Sequence, residues 1–238
     1  MGKLTITGIT HWSIPVNNLE DSEKFYGELL GFEARGRLGN SYMSCFGIEG
    51  HNILLCRRDV PVDDAFGVRL LETMVSQGHA TVRFGFPHME AGRRRPDRPE
   101  VLEETWRKVI GLSRSYGSRM VIGGRSMGGR IASHVVAQGE PVDALVLFAY
   151  PLRSPGGKVR DGHLGSISVP TLFLSGTKDT FGTPEELRDA AAKIPGAELH
   201  LLDGADHGFN MLKSSGKTRN DVWEDVVGKF SGWLDSLA

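Results

Sequence analysis

Met120-Val121-Ile122-Gly123-Gly124-Arg125-Ser126-Met127-Gly128-Gly129-Arg130 runs from an apolar, β-branched stretch through Gly-x-Ser-x-Gly into a segment with helical periodicity. A serine at such a strand-to-helix turn occupies a strained backbone position. The spacing makes Gly124 and Gly128 the places where a Cβ would collide with adjacent backbone. The hydroxyl of Ser126 then projects above the sheet edge as a candidate nucleophile. Because the same turn opens a helix, the backbone N–H of Met127 and the positive helix end face the point where an oxyanion would develop.

On both sides of this turn, from about Ile53 onward, short apolar runs alternate with longer helix-period segments. That is the pattern of a parallel sheet wrapped by helices. Strands are expected at Ile53–Cys56, Ala80–Phe84, Met120–Gly123, Ala144–Phe148, Thr171–Leu174 and Glu198–Leu202. Helices are expected at Asp64–Ser76, Arg98–Ser115, Met127–Ala137, Pro184–Lys193 and Arg219–Ser236. Thr183 is placed to cap the fourth helix, with Pro184 at its first position. Gly78, Gly117, Gly139 and Gly196 follow four of the helices as stop signals.

A serine of ordinary pKa is a weak nucleophile, so a general base and an orienting carboxylate should follow it in the chain. After the strand Pro170-Thr171-Leu172-Phe173-Leu174 comes Ser175-Gly176-Thr177-Lys178-Asp179, which sets a carboxylate just beyond a strand's C-terminal end. After the last strand, Leu202-Asp203-Gly204-Ala205-Asp206-His207-Gly208-Phe209 offers His207 in a glycine-flanked loop. Asp179 is the candidate acid and His207 the candidate base. Asp203 and Asp206 read as turn residues.

Composition narrows the function classes. Of 238 residues, 28 are Lys or Arg and 29 are Asp or Glu, a net charge of −1, so no excess of positive charge favours nucleic acid or an anionic membrane. Apolar residues at 39% and charged residues at 24% belong to a folding chain. Arg93-Arg94-Arg95-Pro96-Asp97-Arg98 lacks interleaved aromatics and reads as a solvated loop. The two cysteines, Cys45 and Cys56, lie in apolar runs and read as buried reduced thiols, consistent with a cytoplasmic protein. Neither an apolar span of membrane length nor a secretory signal is expected.

The first fifty residues read as a strand over Leu4–Val16, a helix over Leu19–Leu30 and strands near Phe32–Arg37 and Tyr42–Ile48, with Gly39-Asn40 as a hairpin turn.

From about Asp64 to the C-terminus the chain resembles the α/β-hydrolase superfamily, particularly its small dienelactone-hydrolase-related members. The likeness rests on Arg83-Phe84-Gly85-Phe86-Pro87-His88-Met89-Glu90, Arg94-Arg95-Pro96-Asp97-Arg98, Gly123 to Arg130, Ser175-Gly176-Thr177-Lys178-Asp179-Thr180-Phe181-Gly182 and Asp206-His207. It implies a serine hydrolase with Ser126, Asp179 and His207 as its triad and with no cofactor. Relatives usually carry a His-Gly-Ala-Gly-like loop that supplies a second oxyanion N–H. Here Ile53-Leu54-Leu55 runs into Cys56-Arg57-Arg58-Asp59, which has no glycine for that turn; Arg57 or Arg58 could donate instead.

Thr10-His11-Trp12-Ser13-Ile14-Pro15-Val16 and Leu19-Glu20-Asp21-Ser22-Glu23-Lys24-Phe25-Tyr26-Gly27-Glu28-Leu29-Leu30-Gly31-Phe32 resemble a different family, the vicinal oxygen chelate proteins related to glyoxalase I. The match covers one βαβββ module, about residues 1–57. In that family a metal draws ligands from paired modules and His11 matches the first-strand ligand, but one module lacks the partners. His11 is therefore expected to be structural, with no metal bound, and His51 a loop residue.

The expected fold is a three-layer α/β/α hydrolase-like sandwich with a mostly parallel sheet over 58–238, extended by the glyoxalase-like segment. Ile53–Cys56 is expected to be shared. It would enter the hydrolase sheet between Ala80–Phe84 and Met120–Gly123, with the Phe32–Ile48 hairpin beside it, so that the chain forms one cooperative unit. The abrupt change of resemblance reads as a chimera.

The expected activity is hydrolysis of a small ester, lactone or other acyl substrate, with Arg83, Arg94 and Arg95 as candidates to recognise a substrate carboxylate. Two other readings stand beside it: a weak or inactive chimera that has lost its oxyanion loop, and a metal-dependent glyoxalase-like enzyme formed by dimerisation.

Overall fold

The computed structural model describes residues 11–16, 20, 23–24, 28, 33–38, 43–48, 51–57, 65–90, 93–211 and 216–237. Two compact units divide the chain between Pro96 and Asp97.

The first unit holds β1 (His11–Val16), β2 (Glu33–Leu38), β3 (Met43–Ile48) and β4 (His51–Arg57), hydrogen-bonded in the order β1-β4-β3-β2. β4 runs parallel to β1, with His11 opposite Asn52 and Val16 opposite Arg57, and antiparallel to β3. β2 and β3 form the expected antiparallel pair, with a register shift at Ala34/Gly36; their turn, Gly39-Asn40, lies outside the described residues. Within the expected helix at 19–30, Glu20, Glu23, Lys24 and Glu28 carry helical backbone, and the rest lies outside the described residues, as do Leu4–Thr10. α1 (Ala65–Ser76) buries Phe66 and Met74, and α2 (Pro87–Glu90) is a single turn.

The pairing of β4 corrects one expectation. Ile53–Cys56 has β1 on one edge and β3 on the other, and a strand has two hydrogen-bonding edges, so it fills no slot beside Met120–Gly123. Ala80–Phe84, its other expected neighbour, forms no strand. Only two residues separate β3 from β4, so their pairing closes a short loop at small entropic cost, whereas pairing with residue 120 would close a long one.

The second unit holds α3 (Pro99–Ser113), β5 (Val121–Arg125), α4 (Met127–Ala137), β6 (Ala144–Phe148), β7 (Thr171–Gly176), α5 (Pro184–Ala191), β8 (Glu198–Leu202) and α6 (Arg219–Ser236). Its sheet is wholly parallel in the order β5-β6-β7-β8. Every residue of β6 and β7 is buried. This is why Ala-Leu-Val-Leu-Phe and Thr-Leu-Phe-Leu read as continuous apolar runs and not as alternating ones.

Consecutive strand residues point to opposite faces, and this fixes the layers. The Leu147 side chain lies beside Gly129 of α4, whereas the Phe148 ring meets the Phe230 ring of α6 edge-on, 5.6 Å between centroids. α4 and α6 therefore cover opposite faces, the three-layer arrangement expected. α3 adds to the α4 side: it buries Leu102, Trp106 and Ile110 as one stripe, and Trp106 Nε1 donates to the Gly128 carbonyl at 3.2 Å. α5 and α6 begin in capping boxes built by Thr183 with Glu186 and Thr218 with Asp221. Among the described residues no helix is long and apolar enough to cross a membrane.

Candidate active site

β5 ends at Arg125, α4 begins at Met127, and Ser126 makes the turn between them with φ 52° and ψ −121°. Few non-glycine residues adopt such a backbone. It is held by Ser126 N–H donating to the Phe148 carbonyl at 2.9 Å and by Arg130 N–H donating to the Ser126 carbonyl at 3.1 Å.

The glycines that permit the turn differ in part from expectation. A Cβ at Gly124 would lie 2.8 Å from the Gly128 carbonyl carbon and the Gly129 nitrogen, but a Cβ at Gly128 would meet nothing within 4 Å. The second crowded position is Gly129, whose Cβ would strike the Gly124 carbonyl, and the third is Gly123, packed on the Val146 carbonyl. α4 therefore starts closer to β5 than any larger residue at 124 or 129 would allow.

Asp179 lies three residues past the end of β7, with its carboxyl 1% exposed. One oxygen, Oδ1, accepts the Phe181 N–H at 2.8 Å; the other, Oδ2, lies 2.8 Å from His207 Nδ1. His207 Nε2 lies 2.9 Å from Ser126 Oγ. A carboxylate only accepts, so Nδ1–H donates to Asp179; the neutral ring then has Nε2 as its acceptor, and the Ser126 hydroxyl donates to it. Asp179 thereby fixes the tautomer whose Nε2 accepts from the Ser126 hydroxyl.

The two loops that carry Asp179 and His207 are sewn together by backbone. Thr177 N–H donates to the Leu202 carbonyl at 3.0 Å, Lys178 N–H to the Ala205 carbonyl at 2.9 Å, and Gly204 N–H to Thr177 Oγ1 at 2.8 Å. Gly176 packs so closely on the Ala205 carbonyl that a Cβ there would overlap it.

Two residues serve His207 that the sequence reading did not assign. The Phe181 ring lies beside the imidazole, 4.6 Å between centroids. Asp206, read as a turn residue, clamps the loop: Oδ1 accepts the Gly208 N–H at 2.7 Å and the Asn210 N–H at 2.8 Å. Burial pushes the Asp206 carboxyl up, but hydrogen bonds from the backbone and side chain of Asn210 and from Gly208, with the charge of His207, outweigh it and hold the group below the ordinary carboxylate range. The available signal was the spacing of Asp206 to Gly208 and Asn210, that of an Asx turn.

Met127 takes the first position of α4, where no intrahelical carbonyl satisfies its N–H. Arg83, Arg94 and Arg95 belong to the first unit. Arg83 lays its guanidinium against Gly67 of α1, and Arg94 and Arg95 are exposed. His11 and His51 lie in β1 and β4; their side chains, with Arg58 and Asp59, lie outside the described residues.

Residues 60–235 match the alpha/beta hydrolase domain family. The chain is an alpha/beta hydrolase. Solved structures share this hydrolase's fold at low identity. An alpha-beta serine hydrolase homologue from Coxiella burnetii is 20% identical with a TM-score of 0.56, over 71% of this chain and 77% of that one. An esterase from Pyrococcus furiosus is 14% identical with a TM-score of 0.59, over 89% and 96%. An α/β serine hydrolase without a lid from Xanthomonas campestris is 17% identical with a TM-score of 0.55, over 72% and 75%.

Proposed function

We propose that this alpha/beta hydrolase cleaves a small ester, lactone or other acyl compound through Ser126, His207 and Asp179. The observation that carries the reading is the continuous hydrogen-bonded chain from Ser126 Oγ through His207 to Asp179, with the serine at the strained turn.

Ser126 Oγ attacks the acyl carbon as its proton passes to His207 Nε2, and Asp179 stabilises the imidazolium from the Nδ1 side. The Met127 N–H and the N-terminus of α4 offset the negative charge on the former carbonyl oxygen. Collapse breaks the bond to the leaving alcohol, which takes the proton from Nε2. Water then attacks the acyl-serine, again giving its proton to Nε2, and the acid departs as Ser126 recovers its hydrogen. The glycine-bearing loop that the family resemblance led one to expect at Cys56-Arg57-Arg58-Asp59, as the source of a second backbone donor, is absent from the sequence. Loss of one such donor costs about 10²–10³ in turnover, so a slow enzyme is consistent with this site.

Incubation with a fluorophosphonate, followed by intact mass and peptide mapping, tests the reading. Labelling confined to Ser126, absent in Ser126→Ala and slowed in His207→Ala, is expected. A folded protein that takes no label would sink it.

The first unit carries a second reading. For residues 1–57 the resemblance to one vicinal oxygen chelate module is kept as a proposal, since such a module sets its fourth strand between the first and third and β4 lies between β1 and β3. Stoichiometric metal in the purified protein, lost on His11→Ala, would make that unit a metal site in its own right.

A further inference from the structure

A second polar cluster lies on α4, one turn past the nucleophile. Arg130 Nη1 is 3.4 Å from His134 Nε2, and the His134 ring lies over the His163 ring with centroids 3.9 Å apart. His163 Nε2 is 2.8 Å from Ser133 Oγ, which is fully buried and lies 2.7 Å from the Arg130 carbonyl. That carbonyl can only accept, so the hydroxyl proton goes to it and His163 Nε2–H donates to Oγ. Tyr150, which interacts with Ser133 and with the charges of Arg130 and Arg160, joins Arg160 to the cluster. The Tyr150 hydroxyl donates to the Arg160 carbonyl at 3.4 Å, and Arg160 Nη2 donates to the carbonyls of Pro151 and Arg153 at 2.7 Å each.

The cluster has positive charge without a matching negative one. The Nε–H groups of Arg130 and Arg160 are both buried, and neither finds an acceptor among the described residues. The neighbouring carboxylates are engaged elsewhere: Asp161 pairs with Lys193 at 2.6 Å, and Glu103 accepts from Gln138 at 3.0 Å and lies 3.7 Å from Arg107. Glu103 comes no nearer to His134 than 3.8 Å. Burial, with the charge of Arg130, pulls the Arg160 guanidinium below its ordinary range. Burial, with His134 and Arg130, holds His163 at about 4, so its ring is neutral at pH 7. Two guanidiniums that each bury an unpaired Nε–H, with the charge of one disfavouring that of the other, are costly alone, and their unused N–H groups suit an oxoanion.

We propose that Arg130 and Arg160 form an oxoanion-binding site that takes a carboxylate or phosphate group, framed by His134, His163 and Tyr150. The site does not depend on the hydrolase reading. The anion arrives either as part of the acyl substrate or as a free ion.

Calorimetric titration of the full chain at low ionic strength with inorganic phosphate, and separately with succinate, reads the site directly. Single-site binding is expected, weakened tenfold or more in Arg130→Gln and in Arg160→Gln, and less in Arg130→Lys, which keeps the charge and loses the fork. Arg160 also holds the carbonyls at 151 and 153, so Arg130→Gln, checked for native circular dichroism, carries the test if Arg160→Gln does not fold. Absence of heat with both anions in the wild-type protein, or equal affinity in the folded Arg130→Gln variant, would overturn the proposal.

The source of the anion is read from kcat/KM for mono-4-nitrophenyl succinate against 4-nitrophenyl butyrate. A preference for the charged ester that falls tenfold in Arg130→Gln assigns the site to the substrate. An unchanged preference with phosphate binding retained in the wild type assigns it to a free ion. Fluorophosphonate labelling of Ser126 in the same samples separates a dead nucleophile, which would defeat the hydrolase reading, from a failed anion site.

Discussion

Gly176→Ala should disable the site from a position that bears no reacting group. The new Cβ would overlap the Ala205 carbonyl oxygen and lie 2.5 Å from its carbon and 2.9 Å from the Asp206 carbonyl oxygen. Carbon atoms sit comfortably at about 3.5 Å, so the 205–206 backbone must retreat by about 1 Å. His207 is the next residue and has 2.9 Å to Ser126 Oγ and 2.8 Å to Asp179 Oδ2, distances that a 1 Å displacement would break. Overpacking of this kind costs about 1–3 kcal/mol in stability, and a 1 Å misplacement of a catalytic group costs about 10²-fold in rate.

The assay pairs differential scanning calorimetry with the rate of Ser126 labelling. A Tm lowered by about 2–12 °C is expected, together with labelling slowed about 100-fold at a temperature where the protein is fully folded. Gly111→Ala is the control of opposite sign. Nothing lies within 4 Å of a Cβ there, inside α3, so the change should stabilise by about 0.5–1 kcal/mol and leave labelling untouched. A Gly176→Ala protein with wild-type Tm and labelling rate would refute the argument that backbone contact between the two loops sets the triad geometry.

Two further outcomes follow from the same unit. Asp206→Ala removes the acceptor shared by the Gly208 and Asn210 N–H groups and should slow labelling by about tenfold through looser placement of His207; an unchanged rate would return Asp206 to a simple turn residue. His163, held at about 4 against an ordinary 6.5 mainly by burial, binds its proton in the unfolded chain before the folded one. Its contribution to stability is therefore complete above pH 6.5 and is lost as the pH falls towards 4. Tm measured from pH 7 to 4 should fall more steeply for the wild type than for His163→Gln, and parallel curves would contradict the assignment.

What the sequence makes legible depends on how local the physics is. Ala144–Phe148, Glu198–Leu202, Met127–Ala137 and Arg219–Ser236 are bounded alike in sequence and structure, because double-sided burial, capping and helical period are written within each segment. Ser126, Asp179 and His207 could be proposed from their places after three strands, and the structure brings their side chains within hydrogen-bonding reach.

The misread positions all turn on contacts between distant segments. Ala80–Phe84 looks like a strand, yet its expected partner β4 is already paired on both edges. Gly128 belongs to the Gly-x-Ser-x-Gly motif and Gly129 does not, yet the approach of α4 to the Gly124 carbonyl crowds Gly129 and leaves Gly128 open. The Arg130–Arg160 cluster unites residues thirty apart, with no periodic signal to announce it.

The backbone of Ser126 sets stability and activity against each other at a single residue. A side chain held at φ 52° and ψ −121° costs about 1–3 kcal/mol that glycine would not incur, a sizeable share of the margin by which a domain stays folded. Selection for thermal tolerance alone would therefore drift towards glycine at position 126 and discard the hydroxyl. If Ser126 is the nucleophile proposed above, a laboratory campaign to harden this protein needs an activity screen at every round to keep it.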